Sequence, residues 1–126
     1  MTPDIDKLNF EKNGDGLLPV IIQDDRTLQV LMLGYMNREA YEKSRAEGLV
    51  TFYSRTKQRL WTKGETSGNT LAIRSIAMDC DADTLLIRVV PAGPVCHTGH
   101  SGCFSDSPRE TEGFIRYLQA VIRQRH

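Results

Sequence analysis

Three cysteines and three aspartates are the residues of this sequence best suited to chemistry. Cys80, Cys96 and Cys103 are its only thiols, an odd number that intrachain disulfides cannot use up. In a reducing compartment such thiols are buried small hydrophobes, reactive groups or metal ligands. Cys96 and Cys103 share a segment rich in Gly, Ser and His. On such a segment they can curl around one soft metal, with Cys80 as a third ligand. Three protein ligands and one open position make a catalytic zinc site, whereas a fourth ligand would close it into a structural one. The spacing is not that of a C-x₂-C knuckle, so buried or free thiols stand as the alternative. A zinc held by three thiolates bears net negative charge and is a weak Lewis acid toward water, so a base must assist. His97 and His100 lie within the same segment and titrate near neutrality. Either can accept a proton from water, and the plainer reading is a pair of exposed loop histidines.

Asp79, Asp81 and Asp83 alternate with Cys80 and Ala82. On an extended backbone the carboxylates would share one face and Cys80 would take the other. Their mutual repulsion is relieved by a hard cation such as Mg²⁺, and Mn²⁺ suits the same donors. An acidic hairpin turn without metal accounts for the pattern equally simply.

A third cluster runs from Trp61 to Asn69 and holds Lys63, Gly64, Glu65, Thr66, Ser67 and Gly68. Glycines that let backbone N–H groups converge, beside a lysine, suit an anion. This is not a Walker A loop, because Lys63 precedes its glycine instead of following the second one. A polar hairpin connection is the competing account. Just upstream, Arg55, Lys57 and Arg59 would share a face if extended. With Lys63 and Arg74 they would meet two phosphates, or else they form a solvated basic strand edge.

Positioning these groups requires strands. Leu17 to Asp24 and Thr27 to Tyr35 read as a β-hairpin across the polar Asp24-Asp25-Arg26. Asn37 is a good N-cap and Gly48 a natural stop, which predicts a short helix between them. Leu49 to Ser54, Arg59 to Lys63, Thr70 to Cys80 and Thr84 to Val90 read as further strands. Pro108, followed by early glutamates and late arginines, predicts a C-terminal helix. The fold class expected is therefore α+β: a compact, mostly antiparallel β-sheet with a short central helix and a C-terminal helix. At 126 residues the chain fits a single domain, 1–126.

Lys plus Arg and Asp plus Glu balance at 16 each. No global field draws the chain to nucleic acid or to an anionic membrane, so neither is an expected partner. No apolar run approaches the ~20 residues that span a bilayer. The acidic N-terminal stretch is unlike a secretory signal, which makes a cytoplasmic location the default expectation.

Taken together, Phe52-Tyr53-Ser54-Arg55, Trp61 through Asn69, Asp79-Cys80-Asp81-Ala82-Asp83-Thr84, and Cys96-His97-Thr98-Gly99 leading to Cys103-Phe104 resemble the phosphoribosyl-AMP cyclohydrolases. Gly34-Tyr35-Met36-Asn37 fits as well, so the likeness runs from about Leu17 to Phe104. Gly102, where the family often has Ser, and Ser105-Asp106 depart from its pattern. The resemblance implies hydrolysis of the N1–C6 bond of the purine in 1-(5-phosphoribosyl)-AMP, a substrate with two phosphates, in histidine biosynthesis. It implies Zn²⁺ on Cys80, Cys96 and Cys103, one per subunit, and Mg²⁺ on Asp79, Asp81 and Asp83. It further implies an intertwined homodimer in which Cys80 comes from one chain and the other two cysteines from its partner. On this basis His97, or else His100, is the expected proton acceptor for a water that attacks C6. Arg55, Lys63, Glu65, Thr66, Ser67, Gly68 and Asn69 are the expected substrate contacts. Some relatives carry a fused pyrophosphohydrolase domain, and a chain ending at His126 is expected to be monofunctional. A zinc nucleobase deaminase is a second reading, but its His-x-Glu and Pro-Cys-x-x-Cys strings do not occur. A non-catalytic zinc or thiol module is a third, and it leaves the hydroxyl-rich loop without a role.

Overall fold

Alternation between core and surface along Leu18–Asp24 makes that segment the centre of the main sheet: Leu18, Val20, Ile22 and Asp24 point inward. The computed structural model describes residues 2–96, 99 and 102–104. Strand β1 (Leu18–Asp24) turns back into β2 (Val30–Met36). Asp24 closes the turn, its Oδ1 accepting from the N–H groups of Arg26 at 2.8 Å and Thr27 at 3.4 Å. Helix α1 (Arg38–Glu47) follows, with Asn37 Oδ1 accepting from the Ala40 amide at 2.8 Å. Gly48 ends it in the left-handed region at φ 73°.

Next come β3 (Thr51–Ser54), β4 (Arg59–Thr62), β5 (Leu71–Met78) and β6 (Leu85–Pro91). The order in the main sheet is β2-β1-β6-β5, and β3 and β4 form a separate two-stranded sheet. Every pairing is antiparallel except β1 with β6, which runs parallel. Leu85, Ile87 and Val89 of β6 join the inward residues of β1 in a core completed by Met36, Tyr41, Val50, Phe52 and Leu71. A buried hydroxyl relay fastens α1 to the small sheet. Ser44 Oγ accepts from the Thr51 amide at 2.9 Å, and the Thr51 and Thr62 hydroxyls meet at 2.8 Å.

The expected hairpin, central helix and four later strands are all present, in a small α+β fold with a mostly antiparallel sheet. The parallel β1–β6 pair and a short 3₁₀ turn at Ile5–Lys7 were not foreseen. The helix expected from Pro108 lies outside the described residues. The two conditional readings of an extended backbone do not hold, and at 79–83 the hairpin-turn alternative does. Residues 55–58 form a turn with Gln58 at φ 51°, and residues 80–83 form another with Ala82 at φ 59°. Among the described residues no helix is long and apolar enough to cross a membrane.

Candidate active site

The acidic cluster is made by the β5–β6 turn, not by strand alternation. Asp79 organises it: its Oδ1 accepts from the amides of Asp83 at 3.0 Å and Thr84 at 3.3 Å. The turn thereby bends the chain until ligand atoms of Asp79, Asp81 and Asp83 lie within 4.8 Å of one another. A cation from far away in sequence already meets them. Lys12 Nζ bonds Asp83 and sits 3.7 Å from Asp81. Its ammonium holds the Asp83 carboxyl below the ordinary aspartate range. Three converging carboxylates, with Asp81 open to solvent, suit an oxygen-seeking divalent cation that keeps some of its water. Cys80 does not turn its back on this cluster, for its Sγ lies 3.8 Å from Asp81 Oδ1.

The other two thiols belong to the segment after β6. The Cys103 amide donates to the Leu31 carbonyl of β2 at 2.6 Å, which pins that segment to the sheet edge. Gly102 makes the approach possible, since a Cβ there would lie 3.1 Å from Leu31 Cα and 3.2 Å from its oxygen. This chain thus has at position 102 the residue that demands least space. Burial and the neighbouring Cys96 thiol push the Cys103 thiol up, while the Lys63 ammonium pulls it back. Cys96 and Cys103 are therefore neighbours, and neither they nor Cys80 form a disulfide. Among the described residues Cys80 does not join them in a three-ligand group within one chain. Two adjacent thiols supply half of a tetrahedral zinc shell, and the exposed Cys80 is accessible to another copy of the chain. His97 and His100 lie outside the described residues.

The hydroxyl-rich loop is docked on the thiol-bearing segment. The Ala92 amide donates to the Thr70 carbonyl at 2.9 Å, and a Cβ on Gly93 would collide with the Asn69 side chain. Within the loop, Gly64 at φ 83° lies so close to the Asn69 backbone that no side chain fits. The amides of Lys63, Glu65 and Gly68 are turned inward onto Val50, Thr62 and Gly64 carbonyls. The Asn69 amide meets the Ser67 hydroxyl at 3.2 Å. Glu65 is spent on structure too: one oxygen bonds Arg59, which holds its carboxyl low, and the other accepts from the Thr62 amide at 3.2 Å. Of the expected substrate contacts, Glu65 and Asn69 brace the loop. Thr66, Ser67 and Gly68 form its exposed tip, and Lys63 lies 5.3 Å above the Trp61 ring. Arg55 stacks on Tyr35 at 4.5 Å and reaches Asp15 at 4.0 Å, whereas Arg74 turns to Asp25 at 3.8 Å.

Sequence reasoning missed Lys12, which no local motif marks because 71 residues separate it from Asp83. It also missed Leu31, whose contribution is a backbone carbonyl, and the aromatic lining supplied by Tyr35, Phe52, Tyr53 and Trp61. For the aromatics a signal was present: Phe52 and Tyr53 on β3 and Trp61 on β4 lie close in sequence to Arg55, Lys57 and Arg59.

A family model described as phosphoribosyl-AMP cyclohydrolase matches residues 32–105, which includes both donor sets and the hydroxyl-rich loop. The histidine biosynthesis bifunctional protein HisIE of Bacteroides thetaiotaomicron is 56% identical over 126 residues, covering 100% of this chain and 59% of that protein. Its namesake in Xanthomonas campestris pv. campestris is 56% identical over 121 residues, 96% of this chain and 57% of that protein. The Staphylococcus aureus protein of the same name is 60% identical over 99 residues, 79% of this chain and 46% of that one. This chain thus spans roughly half the length of these relatives. With the motifs matched across most of the described fold, the chain belongs to the phosphoribosyl-AMP cyclohydrolase family.

Proposed function

We propose that this chain opens the adenine ring of 1-(5-phosphoribosyl)-AMP by hydrolysing its N1–C6 bond, as a step of histidine biosynthesis in the cytoplasm. The observation that carries the reading is the pairing of two chemically distinct donor sets on one small fold. Oxygens converge at Asp79, Asp81 and Asp83, and thiols are neighbours at Cys96 and Cys103. Family membership and the HisIE relatives support the same reaction.

In this proposal Zn²⁺ is held by Cys96 and Cys103 of one copy and Cys80 of a second, and Mg²⁺ by the three aspartates. A homodimer is supported by the split of the thiols and by the exposed apolar residues Val30, Leu33 and Met78 on the two edge strands of the main sheet. When bound, the zinc would polarise a water and lower its pKa toward neutrality. His97 would accept a proton from the attacking water, with His100 as the other candidate in the same segment. Lys63 with Thr66, Ser67 and Gly68 holds one phosphate and Arg55 the other, which fixes the purine against the attacking water.

The test is turnover of synthetic phosphoribosyl-AMP, followed by the ultraviolet change on ring opening, before and after chelation and with zinc restored. Activity lost with zinc and regained with it, without ammonia release, is the expected result. No turnover by zinc-loaded protein supplied with Mg²⁺ overturns the proposal, and ammonia release would make it a deaminase.

A further inference from the structure

Trp61 lines two clefts. One is a cleft of about 280 Å³ whose lining includes Gly34, Tyr35, Phe52, Tyr53, Arg55 and Trp61. The other is a cleft of about 240 Å³ lined by Ser54, Lys57, Arg59 and Trp61. The first is aromatic because of the local register. Phe52 pairs with Trp61 across β3 and β4, so both rings stand on the same face, 5.8 Å apart. Gly34 lets Phe52 lie flat over β2, for a Cβ there would sit 2.5 Å from the Phe52 ring. The second cleft is cationic, and its two cations differ. Arg59 is held by Glu65, whereas no carboxylate pairs with Lys57 among the described residues.

An aromatic slot joined to a cationic one across a shared indole matches a purine nucleotide: a flat base at one end and a phosphate at the other. The slot also lies beside the thiols. Its floor on β2 begins at Met32, next to the Leu31 carbonyl that holds Cys103. We infer that Trp61 is the stacking platform for the purine of the substrate and that Lys57 adds a contact to one of the two phosphates assigned above to Arg55 and to the Lys63 loop. This rests on the nucleotide reading of the site and adds to it the residues that distinguish base from phosphate.

Trp61 is the only tryptophan of the chain, so its fluorescence reports on the slot directly. The experiment titrates the purified protein with AMP and with ribose 5-phosphate, following tryptophan emission and, in parallel, binding heat. AMP should change the emission saturably and ribose 5-phosphate should not. Trp61→Leu should weaken AMP about tenfold while leaving ribose 5-phosphate unchanged, and Lys57→Ala should weaken both alike. The inference fails if AMP binds by heat without altering wild-type emission, or if Trp61→Leu weakens both ligands equally. Turnover of phosphoribosyl-AMP by a protein whose emission ignores AMP would sink this inference and leave the proposed reaction standing. An emission change without any turnover would do the reverse.

Discussion

The acidic turn and the thiol loop hold similar numbers of metal donors but assemble them in different ways. Asp79, Asp81 and Asp83 lie within five consecutive residues, and one tight turn brings their oxygens within 4.8 Å. Cys96 and Cys103 are brought together by long-range packing against β2, and Cys80 stays on the acidic turn. A site made by local backbone geometry is complete in one chain. A site made by packing depends on everything that docks it, and in the proposed dimer also on a second copy. The two should therefore respond differently to mutation, dilution and competing charge.

The sharpest way to break the comparison is Cys103→Ser. Loss of one thiolate from the proposed three-thiolate set should abolish tight zinc binding and lower turnover at least about a thousandfold, while Mn²⁺ uptake at the aspartates persists. Metal content by mass spectrometry beside a Mn²⁺ titration checks both halves. Coupled loss of the two metals would mean that the sites are one unit.

Mixing two dead variants probes the shared site itself. Cys80→Ser and Cys103→Ser, each inactive alone, should regain activity when unfolded and refolded together. Random pairing puts half of the chains in heterodimers with one intact site in two, so roughly a quarter of wild-type activity is expected. No recovery would place all three thiols of a working site in a single chain.

A smaller effect is expected from Gly102→Val. The new side chain must push against the Leu31 backbone, from which a Cβ would be only 3.1 Å away, and so lift Cys103 from β2. Zinc affinity should fall about tenfold, as for other changes in the support of a ligand, with Mg²⁺ affinity untouched. Equal zinc affinity would show that the Leu31 contact does not position the thiol.

Much of this contrast was legible in the sequence, for reasons that differ by residue. The hairpin, α1 and the later strands follow from alternation, the Asn37 cap and the Gly48 stop, all of them local signals. The donor residues themselves were legible by type. Their geometry was less so, because whether 79–83 is extended or turned depends on how β5 and β6 register, with Met78 opposite Leu85. The parallel β1–β6 pairing joins segments about sixty residues apart and leaves no local mark. Glu65 and Asn69 looked like ligand contacts by composition, yet a polar side chain braces a loop as readily as it binds an anion. The Arg59 partner of Glu65 and the bare Gly93 backbone against Asn69 leave no local mark in the sequence.

The finest distinction between the sites concerns Lys12. The acidic turn carries its own cation, for Lys12 bonds Asp83, lies 3.7 Å from Asp81 and is held from a segment anchored by buried Leu8 and Phe10. Asn9 ties that segment to the turn, its amide donating to Ala82 O at 2.8 Å. A divalent cation entering the same carboxylates must therefore compete with an ammonium that is always present at high effective concentration. Lys12→Met keeps the length of the side chain and removes the charge, so Mg²⁺ affinity should rise about two- to fivefold at low ionic strength. The gain should shrink as salt screens the exposed charges, and zinc content should not change. Weaker Mg²⁺ binding in the variant would reverse the role, making Lys12 the residue that arranges the turn for the metal. Among the described residues the thiol loop shows no equivalent ion pair.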